Sequence, residues 1–163
     1  MIRPMRRKDR VMDAENIERV LKENSHGVLA TVSEDGWPYA HPISYVYHDG
    51  HVYFHSAASG HKVDNITRDN RATFTVIGRV EMKTPTKAEA YFESVILFGR
   101  VERVTDFEEQ VASMTELMNV FMPLTAHETR DDLTRMQKAV IVYRLDAEHV
   151  SGKLRGKGAV VGH

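Results

Sequence analysis

Residues 38–76, PYAHPISYVYHDGHVYFHSAASGHKVDNITRDNRATFTV, decide the fold. Residues 38–47 and 51–55 are rich in β-branched and aromatic side chains and flank Asp49-Gly50, a two-residue hairpin signal. Pro38 and Pro42 confine the first of these strands to an edge, a bulge or a strand end, because proline has no N–H to give a ladder. Upstream, residues 27–32 (GVLATV) lead into Glu34-Asp35-Gly36, a second turn of the same kind, so two successive hairpins make an antiparallel meander. Downstream, Ser56-Ala57-Ala58-Ser59-Gly60 feeds a brief helix over 61–68 that turns Val63 and Ile66 inward. Residues 71–78 then return as a fourth strand.

The flanks extend this pattern. Ala14, Ile17, Val20 and Leu21 share one face of a helix over 13–25, with Asp13 as its N-cap and His26-Gly27 at its end. Residues 79–88, with Pro85, read as a polar loop, and Tyr91 to about Val104 as a long strand bent or bulged at Gly99. Thr105-Asp106-Phe107-Glu108 has the form of a capping box. It opens a helix whose apolar seam is Phe107, Val111, Met114, Met118 and Phe121, suited to core packing or to a dimer face. A short helix around 126–136 and a last strand, 138–145, complete the chain. Six strands at hairpin spacing with added helices predict an α+β protein, an antiparallel six-stranded β-barrel. No linker interrupts it, so residues 1–163 are expected to form a single domain with a core over about 12–150 and a basic tail at each end.

Composition narrows the chemistry. The chain has 163 residues, 42% hydrophobic and 28% charged, the profile of an ordinary globular domain. Its lack of cysteine excludes disulfides, thiolate zinc sites, iron–sulfur clusters and a cysteine nucleophile. No run approaches the ~20 apolar residues of a membrane helix, and no apolar core follows the basic N-terminus, so the expected location is the cytoplasm. The net charge of −1 is uneven: Arg3, Arg6, Arg7, Lys8 and Arg10 cluster near one end, and Lys153, Arg155 and Lys157 near the other. Such ends are either solvated tails or holders of an anion. The body between them is acidic, which argues against nucleic acid. The nine histidines contain no HxxxH helix pair and predict no metal site, and no GxSxG elbow supports a serine hydrolase.

The strongest chemical candidate is FHSAASGHKVDNI, residues 54–66. Ser56 and Ser59 bring hydroxyls, Gly60 brings backbone freedom, and His61-Lys62 stand at a helix start. Free N–H groups, the positive end of the helix dipole and a lysine together suit a phosphate. The competing possibility is an ordinary strand-to-helix loop capped by Ser59.

The stretch 38–76, together with MRRKDR near the start, YFESVILFGRVERV and the late AVIVYRLDAEHVSGK, resembles the FMN-binding split-barrel superfamily related to pyridoxamine 5′-phosphate oxidase. The likeness spans about residues 5–155 and is greatest to the nitroimidazole-resistance branch. It implies a split barrel that binds FMN at the interface of a homodimer. Pro42, Ile43, Ser44 and Tyr45 would lie along the isoalloxazine ring, with His55, Ser56 and Ala57 beside the ring and ribityl chain. Ser59, His61 and Lys62 would hold the phosphate, His61 standing where many relatives have arginine. Glu93, Ser94 and Val95 would reach the flavin from the other subunit, and Lys153 would add a contact. His55 is the candidate proton donor, or else a histidine merely hydrogen-bonded at a strand end. The implied activity is FMN-dependent reduction of a small organic substrate, such as a nitro compound, with NAD(P)H as a possible donor. The other readings are a flavin store or sensor without turnover, and a split barrel carrying haem or a deazaflavin. Pyridoxamine-phosphate oxidases use a tryptophan and arginines near the C-terminus, whereas the only tryptophan here is Trp37, in a turn, which argues against vitamin B6 oxidation.

Overall fold

The computed structural model of the chain describes residues 2–82 and 90–156. Seven antiparallel strands form one sheet: β1 His26–Val32, β2 Pro38–Ser44, β3 Val46–His48, β4 His51–Ala57, β5 Arg71–Met82, β6 Ala90–Arg103 and β7 Val140–Arg155. Their order across the sheet is β2-β1-β5-β6-β7-β4-β3. Four helices accompany them: α1 Ala14–Glu23, α2 His61–Arg68, α3 Phe107–Asn119 and α4 Ala126–Met136.

The edge strands explain the shape. β2 and β3 are consecutive in sequence yet occupy opposite edges of the sheet, with only Tyr45 between them. In a flat sheet of seven strands those edges would stand about 29 Å apart, at ~4.8 Å per strand. A single residue cannot span that gap, so the sheet is rolled until its edges approach without closing. Tyr45 is the clasp. It has no exposed surface, its N–H donates to the Ser25 carbonyl at 2.9 Å, and its phenol donates to the Leu21 carbonyl at 2.8 Å. Its ring meets Phe74 edge-on at 5.0 Å, inside a core that includes Val20, Leu29, Phe54, Val76, Val95, Leu97 and Leu145.

Several sequence expectations are corrected here. Residues 38–47 are two strands, so the sheet has seven strands where six were expected. β5 continues through residues 79–82, expected as loop, past an irregularity between Ile77 and Val80; residues 83–89, with Pro85, lie outside the described residues. β7 runs on to Arg155 because β6 offers a long unpaired edge, matching Phe92 to Arg155 and Arg103 to Tyr143. Residues 151–155 of the expected basic tail are therefore strand, and Lys157 lies outside the described residues. The N-terminal basic segment packs beside it, with a bridge between Val11 and Lys153 and the Met12 N–H on the Gly152 carbonyl at 3.0 Å.

The α3 cap is Asp106, which accepts from the Glu109 N–H at 2.8 Å, rather than the expected Thr105 box. The buried seam of α3 uses Val111, Met114 and Leu117, the last two packed with Tyr53, Val104 and Val142, while Phe121 is 52% exposed. At Gly99 the bulge falls on the facing strand: Phe98 pairs with His149 and Gly99 with Ala147. A Cβ at Gly99 would strike the Asp146 carbonyl oxygen and come within 2.9 Å of the Ala147 Cα, both backbone atoms. Gly99→Ala is therefore expected to cost about 3 kcal/mol, the upper part of the overpacking range, measured by urea unfolding against wild type.

Candidate functional site

The candidate site lies where β4 runs into α2, beside the β1–β2 hairpin. The α2 helix is held there by its own side chains. Asn65 donates to Thr31 Oγ1 at 3.1 Å, Arg68 bonds the Val32 carbonyl, and His61 Nε2 meets Ser33 Oγ at 2.8 Å. Its N-cap is Gly60, at φ 132°, and no side chain caps the helix. Ser59 is exposed and does not cap the helix, contrary to the expected Ser59 cap. The first-turn N–H groups are thus left for another acceptor.

Three ionisable groups gather at this end. Lys62 is partly buried, and among the described residues no carboxylate pairs with it. Burial holds its ammonium below the usual lysine range. His41 is held below the ordinary histidine value, first by burial and then by the nearby Lys62 charge, and His55 stands near the same charge. Tyr39 packs against His41 at 5.1 Å between ring centres and against His61 at 4.3 Å. Both ring nitrogens of His41 are buried without a hydrogen-bond partner. Buried polar atoms are ordinarily satisfied, so an orphaned imidazole beside an unpaired ammonium fits an anionic ligand.

His41 is absent from the sequence-based site. It shares a strand face with Ile43, because side chains alternate along β2, and a histidine on an inward face was the available signal.

The other expected residues divide into two sets. Pro42 and Ala57 are exposed, Ser44 is partly so, and His55 is exposed on the strand face opposite Phe54 and Ser56. The Ile43 and Tyr45 side chains are core, so these two can meet a cofactor only through backbone; Ser56 is also turned inward. His61 keeps only Nδ1 free of the Ser33 contact.

Glu93, Ser94, Val95 and Lys153 are elsewhere. Ser94 faces Lys153 across β6 and β7, nine residues along β6 from Arg103, which neighbours the β4 end of the sheet. At ~3.3 Å per residue this puts Ser94 about 30 Å along the sheet from the His55 end, whereas Pro42 is level with Ile96, three strands away through Val28 and Thr75. Val95 is fully buried and Glu93 is turned inward, its carboxylate paired with Arg19 at 2.9 Å. Ser94 and Lys153 are left on the outer face, with the Lys153 ammonium 5.4 Å from the Phe92 ring centre and Arg10 at 5.9 Å.

Burial of the His41 ring makes stability depend on pH. An unfolded histidine takes up its proton near ~6.5, whereas His41 in the fold resists it to lower pH. Between those limits the unfolded chain binds more protons, so stability falls as pH drops below 6.5. Unfolding midpoints at pH 7.5 and 5.5 are expected to differ less in His41→Gln than in wild type. An equal fall in both proteins would contradict this account.

The fold and the site define an α+β protein with an open, rolled antiparallel sheet and an end that holds the unpaired Lys62. The chain belongs to the pyridoxamine 5′-phosphate oxidase-like family of flavin-binding split barrels; the family model described as pyridoxamine 5′-phosphate oxidase matches residues 13–154. Solved structures agree on the fold. A candidate 5-nitroimidazole antibiotic resistance protein from Bacteroides thetaiotaomicron superposes with a TM-score of 0.72 at 21% identity, covering 88% of this chain and 86% of that one. A FAD-binding protein from Mesorhizobium loti gives 0.61 at 23% identity, covering 90% and 98%. A FAD-binding protein from Mycobacterium smegmatis gives 0.65 at 17%, covering 91% and 99%. No curated protein sequence matches the chain. Among the described residues no helix is long and apolar enough to cross a membrane.

Proposed function

We propose that the chain is a single-domain cytoplasmic split barrel that binds FMN between two copies of itself and reduces a small organic acceptor, such as a nitro compound, with electrons from NAD(P)H. The observation that carries this reading is the unpaired, partly buried Lys62 beside the orphaned His41 at the uncapped start of α2. A phosphate dianion suits all three features. Lys62, His41, the free Nδ1 of His61 and the first-turn N–H groups would hold the phosphate, with Ser59 at its rim. The exposed flank of β2 at Pro42 and Ser44, and Ala57 on β4, would border the ring. Bound there, the flavin supplies two-electron transfer, while the chain's own residues orient the acceptor. His55, on the open face of β4, would offer a ring N–H to an acceptor oxygen.

A second copy accounts for the remaining residues. Ser94 and Lys153 stand three or more strands from the β2 flank of their own chain, and on a partner they would complete the site. Exposed apolar residues support such a contact: Ile77 pairs directly with Ser94 and is 62% exposed, as is Val80, and Met82 is 65% exposed. Apolar clustering of this kind marks surfaces that bury on association.

The test is steady-state oxidation of NADH or NADPH by the FMN-loaded protein, with and without a 5-nitroimidazole. Acceptor-dependent oxidation is expected. Stable FMN binding with no turnover from either nicotinamide would favour the store or sensor reading instead.

A further inference from the structure

His26, the first residue of β1, is exposed, yet three contacts hold its ring. Ser25 Oγ lies 2.9 Å from Nδ1, Ser44 Oγ lies 3.2 Å from Nε2, and Phe121 meets the ring edge-on at 5.7 Å. Fixing an exposed side chain costs rotamer freedom with little burial in return, so a ring tied at both nitrogens needs a further reason. Its place in the sheet supplies one. His26 pairs with Ser44 across β1 and β2. Between β3 and β4, Val46 pairs with Tyr53, and that register continued past Tyr45 brings Ser44 level with His55. Ile43, Tyr45, Phe54 and Ser56 are buried, so alternation puts Ser44 and His55 on the outer face, where His26 also stands. His26, Ser44 and His55 thus form one row at the flank of β2 proposed for the ring.

We propose that His26 is a positioning residue that acts through Ser44, holding the Ser44 hydroxyl toward the acceptor and replacing the proton it gives up. This rests on the flavin reading above and adds a proton route to it. Reducing a nitro group to nitroso consumes a hydride and a proton, breaks one N–O bond and releases water. The hydride, with its electron pair, comes from reduced flavin. The Ser44 Oγ–H gives the proton to the departing oxygen and is restored from His26 Nε2–H, while Nδ1 takes a proton from the Ser25 hydroxyl, which solvent replenishes. A hydroxyl can donate and accept at once, and a neutral imidazole has one nitrogen of each kind, so the three groups form a continuous relay. The exposed ring then regains its starting tautomer by exchange with water.

In the flavin-free protein, nitrogen NMR of the His26 ring is expected to respond to Ser44→Ala at Nε2 and to Ser25→Ala at Nδ1; a ring indifferent to both would overturn the proposal. The acceptor step is then read alone. FMN-loaded protein is reduced with dithionite under anaerobic conditions and mixed with a 5-nitroimidazole, and flavin absorbance follows reoxidation. His26→Gln keeps an N–H for Ser44 but cannot pass a proton on. Its rate at saturating acceptor is expected to fall about 100-fold, the low end for proton transfer by a positioned side chain, while the half-saturating concentration changes little. Added imidazole should restore much of the rate to His26→Ala, which a merely structural role would not allow. Reoxidation of His26→Gln at the wild-type rate would overturn the proposal and leave the flavin reading intact. Wild-type reduced FMN that the nitroimidazole leaves untouched would overturn it together with the nitro-reduction reading, and a protein that retains no flavin would overturn it together with the flavin reading.

Discussion

Lys62→Ala is expected to weaken FMN binding about 30-fold while changing riboflavin affinity little. A hydrogen bond to a charged group contributes about 1.5–3 kcal/mol, which corresponds to roughly 10- to 150-fold in affinity. Lys62 sits in the middle of that range because it is partly buried and has no competing carboxylate among the described residues. Riboflavin lacks the phosphate, so it serves as the control for changes in ring packing. Without ligand the substitution should be neutral or slightly stabilising, since it removes an ammonium that burial already disfavours. Lys62→Arg should recover much of the FMN affinity. Unchanged FMN affinity in Lys62→Ala would move the phosphate away from α2. Loss of FMN and riboflavin alike would point to a damaged ring slot instead.

Tyr45→Ala is expected to destabilise the fold by about 4 kcal/mol, in the range for deleting a buried aromatic side chain. The residue fills the core against Phe74, satisfies the Leu21 carbonyl and carries the chain from one edge of the sheet to the other. Tyr45→Phe keeps the ring and loses only the phenol, so about 1 kcal/mol is expected. Urea unfolding of both variants separates the two contributions. If the two costs were equal, the hydrogen bond rather than the packing would be holding the rolled sheet.

Local signals carried much of this architecture. Asp13 caps α1, α2 spans His61–Arg68 as its spacing predicts, and the Asp-Gly turns join β1 to β2 and β3 to β4. The break at Tyr45 left no local trace. Alternation runs unbroken through residues 38–47, and only distant partners, β1 for one half and β4 for the other, separate the two strands. The extensions of β5 and β7 were hidden for a related reason. Residues 79–82 and 146–150 are polar or exposed and read as loop, but β6 pairs with them over its whole length.

The candidate site was legible at its chemical centre and blurred at its edges. Small residues followed by His61-Lys62 marked the start of α2. That Glu93 is turned inward onto Arg19 depends on where α1 packs, which strand alternation alone does not reveal. His41 was readable from its shared face with Ile43, yet two flanking prolines made the strand's inward face hard to assign.

The central claim is that this chain carries a flavin. Its most direct test is a visible absorption spectrum of the purified protein, repeated after incubation with FMN and removal of the excess. Retained flavin bands at about one per chain are the predicted result. A protein that stays colourless and cannot be loaded would contradict the account.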